Sequence, residues 1–231
     1  MSRTLRVAAA IAALWLAACG PTDGPVDHSS MQPKRIGHRL YRGTLYGRPG
    51  VLFFEASPTV LTVAYDTAMC GLFIAWRGPA LGTETNPDGT YEEQGPFYLF
   101  QLSKDLWTVR NGEDTLAAAV RFLGYDEDST GYVAFRYALL LPNGDSIKVA
   151  ESPSLDDHYG DIALRRDFRF TGIPYGATVS VRLGGNAGSW PELWEQSGGG
   201  RLTDLNGYAR LEMTFDDLAV TKVRWQGSAA P

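Results

Sequence analysis

The stretch GYVAFRYALLLPNGDSIKVAES, residues 131–152, holds two runs of alternating residues joined by a turn signal. Four apolar positions of the first run fall on one face of an extended chain: Val133, Phe135, Tyr137 and Leu139. Alternation of this kind is typical of a strand with one buried side. Between the runs, Asn143-Gly144 suits a tight turn with positive φ, because glycine has no Cβ and asparagine tolerates the left-handed region. The stretch therefore predicts a β-hairpin.

Similar short segments, rich in β-branched and aromatic residues, recur along the chain between Gly, Pro and Asp residues. They predict strands over 39–46, 51–55, 59–65, 71–76, 115–125, 131–141, 162–170, 177–183, 208–215 and 220–226. In 208–215 the predicted inward positions are Leu211, Met213 and Phe215, and the predicted outward positions are Arg210, Glu212 and Thr214. The alternation thus extends well beyond the first hairpin.

The N-terminus has the features of a secretory signal. Arg3 and Arg6 precede an apolar run that ends at Cys19, and this run is shorter than the ~20 residues a membrane-spanning helix needs. Its last residues, Leu16-Ala17-Ala18-Cys19, resemble a bacterial lipobox. That resemblance implies that Cys19 carries a diacylglyceryl group and becomes the first mature residue. The alternative is an ordinary signal peptide with a cysteine near the cleavage site.

The segment after Cys19 predicts a flexible tether, because it is rich in Gly, Pro, Ser and Asp and has little apolar surface to bury. We expect a signal peptide over 1–18, a tether over 19–35, one β-sandwich domain over 36–226 and a tail over 227–231. The expected location is the bacterial cell envelope. Because Gly20 follows the cysteine, we expect the outer membrane, with the domain facing the periplasm or the cell surface.

The predicted fold class is all-β, an antiparallel β-sandwich or large super-sandwich with very little helix outside the signal peptide. Beyond the signal the sequence has no sustained 3.6-residue apolar period, and the two best helical candidates, 102–107 and 190–196, are short. It also has no internal repeat of the kind that indicates a propeller.

Charge and cysteine content exclude some classes of function. The formal net charge is −5, and removal of Arg3 and Arg6 with the signal peptide takes it to −7. An acidic chain without a Lys/Arg cluster argues against nucleic-acid binding. With Cys19 lipidated, Cys70 has no intramolecular partner, so a hydrophobic core must stabilise the domain. A buried, inert Cys70 is favoured over a nucleophile, which would need one of only three histidines as its base.

Residues 63–78, VAYDTAMCGLFIAWRG, together with 120–153 and 164–183, resemble a segment that precedes the haem domain in some large secreted bacterial c-type cytochromes. The resemblance implies a β-sandwich module of extracytoplasmic proteins, often redox-associated or involved in sugar utilisation. The sequence has no Cys-x-x-Cys-His motif, so haem and electron transfer are not implied, and no cofactor is expected. An accessory subunit of a separately encoded cytochrome is one alternative function.

The strand order and size also resemble the galactose-mutarotase-like super-sandwich. That resemblance implies sugar binding in a sheet concavity, and its enzymes use a histidine and a glutamate as acid and base. Neither residue matches a motif in this chain, so no catalytic residue is assigned. A sugar-active enzyme remains the second alternative function.

Aromatic and polar residues suggest where a ligand would bind. Trp190 and Trp194 lie in a glycine-rich segment, where large rings either meet a ligand or cap the sandwich. Tyr65, Asp66 and Trp76 are further ligand-binding candidates, although Asp66 also suits a turn. The acidic stretch 154–161 could hold a divalent cation, but a solvated loop is favoured and no metal is expected. The first hypothesis is a non-enzymatic, lipid-anchored module that binds a carbohydrate or a protein partner.

Lipidation can be tested by metabolic labelling with a radioactive fatty acid. We expect the wild-type chain to be labelled and Cys19→Ala to be unlabelled, because the thiol is the acceptor in the lipobox interpretation. Equal labelling of the two chains would contradict it.

Overall fold

The alternating runs of the sequence fold as antiparallel strands. A computed structural model describes residues 34–57, 60–80, 97–101, 105–158, 161–185, 192–205 and 208–225. These residues form strands, turns and irregular connections without a helix, which confirms the predicted all-β antiparallel sandwich. Accordingly, no described segment is a helix with the length and hydropathy needed to cross a membrane.

The strands of the described residues, in chain order, are β1 (Lys34–Arg35), β2 (Leu40–Leu45), β3 (Arg48–Ser57), β4 (Leu61–Asp66), β5 (Gly71–Trp76), β6 (Phe97–Phe100), β7 (Trp107–Asn111), β8 (Asp114–Leu116), β9 (Ala119–Glu127), β10 (Val133–Leu140), β11 (Ser146–His158), β12 (Asp161–Thr171), β13 (Ala177–Gly185), β14 (Glu192–Gly198), β15 (Arg201–Leu205), β16 (Tyr208–Met213) and β17 (Leu218–Trp225).

These strands form three antiparallel sheets in the described part of the chain. Sheet 1 has the order β1-β2-β3-β4-β5-β6 and follows the chain as a meander. Sheet 2 has the order β14-β17-β12-β11-β10-β9, and sheet 3 has the order β15-β16-β13-β7-β8. Sheets 2 and 3 are therefore both built from the strands that follow β6, and the chain passes between these two sheets several times.

The predicted hairpin is confirmed as β10–β11, with Leu140 paired to Ser146 next to the turn. Gly144 takes the positive φ of 91°, whereas Asn143 does not adopt a positive φ. The Asn143 side chain instead accepts a hydrogen bond from the backbone N–H of Asp145 at 3.1 Å. Asparagine therefore shapes this turn through its side chain and glycine through its backbone.

One face of sheet 2 supports both of the other sheets. Register partners in an antiparallel sheet share a face, so the buried rows of β10, β11, β12 and β17 lie on one side. At one end, the rows that pack against sheet 1 include Val133, Phe135, Leu164 and Val223. At the other end, the rows that pack against sheet 3 include Leu139, Ile147, Val149 and Phe170. Sheets 1 and 3 thus meet along a seam that crosses the face of sheet 2.

A buried ion pair lies at this seam. Glu151 of β11 and Arg166 of β12 are both almost fully buried, and the Arg166 Nε donates to Glu151 Oε1 at 2.5 Å. The Tyr65 hydroxyl, from sheet 1, donates to the same carboxylate, and the Tyr137 hydroxyl donates to Oε2 at 2.8 Å. The Arg166 Nη1 donates to the carbonyl of Leu183, in sheet 3, at 3.1 Å. The pair is therefore bonded to both sheets that cover sheet 2.

Both tyrosines act in this network as neutral donors. Burial raises the pKa of the Tyr65 and Tyr137 hydroxyls well above the ordinary value, and the negative charge of Glu151 raises it further. The Tyr65 ring also stacks on Phe135 with a centroid distance of 4.1 Å. The seam thus combines ring packing with hydrogen bonds that satisfy both carboxylate oxygens.

Strands β4 and β5 are buried on both faces. Their second face forms a separate apolar cluster with neighbouring strands, and its members include Val51, Phe53, Phe73, Ile74 and Trp76. Strands covered on both sides read as continuous apolar runs rather than alternating ones. This explains why 59–65 and 71–76 lack the alternation of β10.

The structure corrects the short helical candidate 190–196 and one facing prediction, whereas residues 102–104 of the other candidate, 102–107, lie outside the described residues. β7 begins at Trp107, within 102–107, and β14 covers most of 190–196. Pairing of β14 with β17 outweighs the weak local helical signal of 190–196. Phe215 lies beyond the end of β16 and is 53% exposed, so its predicted inward position is wrong.

We expect Glu151→Gln to lower the free energy of unfolding by about 3–5 kcal/mol, because it leaves the Arg166 charge buried without a counter-charge. Asp126→Ala, which breaks the exposed ion pair with Arg136, is the control and should cost less than about 1 kcal/mol. Urea denaturation followed by circular dichroism measures both. A Glu151→Gln chain within about 1 kcal/mol of wild type would contradict a structural role for the pair.

Candidate functional site

Asp66 organises the turn between β4 and β5. Its Oδ1 accepts hydrogen bonds from the backbone N–H groups of Ala68 at 2.8 Å and Met69 at 3.2 Å. Its Oδ2 accepts one from Arg48 at 2.6 Å. The side chain is 3% exposed, so its oxygens face the chain rather than solvent. These contacts agree with the turn interpretation of Asp66.

Tyr65 and Trp76, the other two candidates from this region, are also buried. Tyr65 belongs to the seam network, and Trp76 donates its indole N–H to the carbonyl of Pro79 at 3.1 Å. Asp66 lies in a turn, Tyr65 at the seam and Trp76 on the opposite face of sheet 1. The structure therefore does not present the three on one open surface, and their role in ligand binding stays a prediction.

Other predicted positions fall outside the described residues. Cys19 and Trp190 are among them, and Trp194 is described only through its backbone, which pairs with Val223 in sheet 2. The ligand-binding role of Trp190 and Trp194 therefore stays a prediction.

The acidic stretch 154–161 is mainly strand, because β11 runs to His158 and β12 starts at Asp161. The prediction of a solvated loop is therefore wrong. Asp156 forms an ion pair with Lys222, and this hydrogen-bonded partner lowers the pKa of the carboxyl. Within the described residues, no group of three or more metal-ligating side chains comes together.

Cys70 is a buried thiol at the end of the same turn, with a positive φ of 53°. Burial raises its pKa to about 12, and the Asp66 charge contributes further. The thiol is therefore neutral near pH 7, which does not suit a nucleophile. The Cys70 carbonyl accepts a hydrogen bond from the Trp107 indole at 2.9 Å, which ties the turn to sheet 3.

An open concavity lies on the outer face of sheet 3, and we call it the arginine groove. It has a volume of about 420 Å³ and is lined by Arg110, Thr178, Gly198, Gly199, Gly200, Arg201, Glu212, Thr214 and Phe215. A space of this size falls in the range of small-molecule binding sites. Its lining combines guanidinium groups, hydroxyls, one carboxylate and an exposed ring.

Strand alternation positions most of these side chains. In β13 and β16, Val179, Val181, Leu211 and Met213 face the core, so the residues between them face outward. The glycine turn between β14 and β15 forms one wall of the groove. Gly198 and Gly200 both have a φ near 80°, and a Cβ there would overlap the carbonyl of Leu218 or the side chain of Met213.

Glu212 holds two arginines of the groove in place. It accepts hydrogen bonds from Arg110 Nη2 at 3.1 Å and from Arg201 Nη2 at 3.0 Å. Both arginine side chains stay substantially exposed, whereas Glu212 is nearly buried. Glu212 therefore fixes the orientation of both guanidinium groups, and both remain accessible to a ligand.

Two more arginines lie on the same face, next to the groove. Arg182 stacks its guanidinium on the Tyr208 ring at 3.4 Å from the centroid. Arg210 donates to the Ser180 hydroxyl at 3.2 Å. Burial lowers the pKa of Arg210, and the positive charge of Arg182 lowers it further. The face is thus locally cationic, in a chain whose net charge is −5.

A second depression, of about 450 Å³, lies around Gly37, His38 and Glu127. The Glu127 Oε1 accepts hydrogen bonds from the backbone N–H groups of His38 at 2.6 Å and Arg39 at 3.4 Å. The neighbouring Asp128 accepts from the backbone of Thr130 and Tyr132. Because both carboxylates hold the chain itself, this depression is a weaker candidate than the arginine groove.

The groove was not among the sites predicted from the sequence. The outward positions of Arg210 and Glu212 were predicted, but outward charges are ordinary on a strand with one solvated side. Arg110, Arg182 and Arg210 belong to three strands that are far apart in the sequence and adjacent only in sheet 3. A signal exists in the GGGR motif at 198–201, which marks a tight turn beside a basic residue.

Comparison of the chain with protein-family models, with curated protein sequences and with solved structures finds no match. The geometry of the described residues is therefore the basis for the functional argument.

Proposed function

We propose that the protein is a non-catalytic binding module that holds a carbohydrate in the arginine groove. The observation that carries this proposal is the lining of the groove. Arginine donors, threonine hydroxyls and the Glu212 acceptor complement the hydroxyls of a sugar. The exposed Phe215 ring offers a flat apolar surface to the C–H face of a pyranose.

Binding is favoured over catalysis by the titratable groups of the groove. Acid–base chemistry on a sugar needs two groups whose environments push their pKa values apart. Among the described residues that line the groove, Glu212 is the sole carboxylate, and two arginines keep it paired. Such an arrangement can hold and orient a ligand but supplies no acid–base couple.

The module acts from the bacterial envelope in this proposal. Lipidation at Cys19 and a tether over 19–35 would place the domain at a membrane surface, where saccharides of the envelope or its surroundings are accessible. The lipobox-like Leu16-Ala17-Ala18-Cys19 and the composition of the tether support this location.

The proposal can be tested on an array of bacterial and plant oligosaccharides, followed by calorimetric titration with the strongest ligand. We expect at least one saccharide to bind and Phe215→Ala to weaken its binding by about fivefold, because ring contacts of this kind contribute ~1 kcal/mol. Tyr132→Ala, which removes a ring of similar exposure at the β9–β10 connection, should bind as wild type does.

Two outcomes would contradict the proposal. One is the absence of binding to every saccharide on the array. The other is binding that Phe215→Ala and Tyr132→Ala reduce equally, since the groove would then play no particular part.

A further inference from the structure

We propose that the saccharide bound in the arginine groove carries a carboxylate, as a uronic acid does, and that Arg182 and Arg210 hold this carboxylate. The inference rests on the proposed function and names the chemical class of its ligand. It follows from one cross-strand row of sheet 3, in which Thr203 of β15 pairs with Arg210 of β16, and Arg210 pairs with Arg182 of β13.

Arginines directly opposite each other in a sheet repel, so this pairing is unfavourable without an anion. Glu212 is the one carboxylate among the described residues that line the groove, and it does not neutralise the pair by itself because Arg110 and Arg201 are hydrogen-bonded to it. Among the described residues, Arg210 lies in the field of two further cations, Arg182 and Arg110, and of two carboxylates, Glu212 and the exposed Asp105. The face therefore keeps an excess of positive charge at the row of Arg182 and Arg210.

The same row has three polar atoms without a partner among the described residues. They are Arg182 Nε, Arg210 Nε and Thr203 Oγ1, and each is buried. Arg210 is 9% exposed, so its unpaired N–H group is costly to the fold. Buried polar groups without a hydrogen-bond partner are uncommon in proteins, and a cluster of them is more so. A carboxylate has two oxygens that can accept hydrogen bonds from such groups.

The row of Arg182 and Arg210 lies beside the groove lining, next along sheet 3 to the outward row of Glu212. Arg210 and Glu212 are two residues apart on β16, about 7 Å at the rise of a strand. The Arg210 Nη1 lies near Ser180 and Thr108, at 3.2 Å and 3.4 Å, and these two residues share the cross-strand row of Glu212. A sugar ring over the row of Glu212 can thus direct a ring carboxylate to Arg210.

The groove favours a saccharide over an acidic peptide. Glu212 would repel a run of carboxylates, whereas it accepts hydrogen bonds from hydroxyls. The hydroxyls of Thr178 and Thr214 and the ring of Phe215 complement the polar edge and the apolar face of one sugar. The net charge of the chain is −5, so it repels a ligand with a single carboxylate less than a peptide with many.

The test compares trisaccharides of galacturonic, glucuronic and mannuronic acid with their methyl esters, which lose the charge and keep the sugar. Calorimetric titration of the mature chain should give at least one acid that binds about tenfold or more tightly than its ester. Arg210→Gln and Arg182→Gln should abolish that preference. Arg136→Gln, which removes an exposed arginine of β10, should keep it.

The stability of the variants gives a second readout. Because Arg210→Gln removes a repulsion, its melting temperature without ligand should equal or exceed that of wild type. Should Arg210→Gln fail to fold, that result counts against the proposed repulsion, and the more exposed Arg182→Gln still tests the binding preference.

Other outcomes overturn the inference and separate it from the proposed function. One such outcome is equal binding of the acids and their esters, and another is an array on which every ligand is neutral. Either would show that the module binds carbohydrate but does not recognise a carboxylate. Polyglutamate that binds as tightly as the best uronate would identify an acidic peptide ligand instead. Loss of all saccharide binding would contradict the proposed function itself.

Discussion

The arrangement of the three sheets depends on the buried ion pair between Glu151 and Arg166. Its carboxylate accepts from Tyr65 in sheet 1, and its guanidinium donates to the carbonyl of Leu183 in sheet 3. Burial of two charged side chains is unfavourable unless each has several hydrogen-bond partners. This requirement restricts how the three sheets can pack. We therefore expect the pair to favour one packing of the three sheets rather than to add much net stability. Apolar residues in its place would fill the seam but would not hydrogen-bond to sheets 1 and 3.

The same constraint connects the core to the proposed binding face. Arg166 holds the backbone of β13 at Leu183, and the next residue toward the N-terminus, Arg182, projects from the opposite face of that strand. The Arg182 backbone N–H donates to the carbonyl of Leu106 at 2.9 Å, which fixes the start of β7 beside it. The position of Arg182 is thus set by hydrogen bonds to the backbone of β13 at Arg182 and Leu183.

Local pattern in the sequence predicts the fold class but not the site. Alternation in β10 and β16 and the turn at Gly144 follow from residues close together in the chain, and these predictions agree with the structure, apart from Phe215. The strands β7 and β14 form because distant partners pair with them. Its position in a connection makes Asp66 a ligand-binding candidate from sequence, whereas its burial depends on contacts with Arg48 and the turn backbone that no local pattern reveals.

Hydrogen exchange measured by mass spectrometry tests most directly whether the seam couples the sheets. Tyr65→Phe changes one residue of sheet 1 and removes its hydrogen bond to Glu151, so comparison with wild type isolates the coupling. We predict faster exchange in peptides that cover β13 as well as in those that cover β4, because Glu151 and Arg166 link the two strands. Faster exchange confined to β4 and β5, with β13 unchanged, would contradict the account.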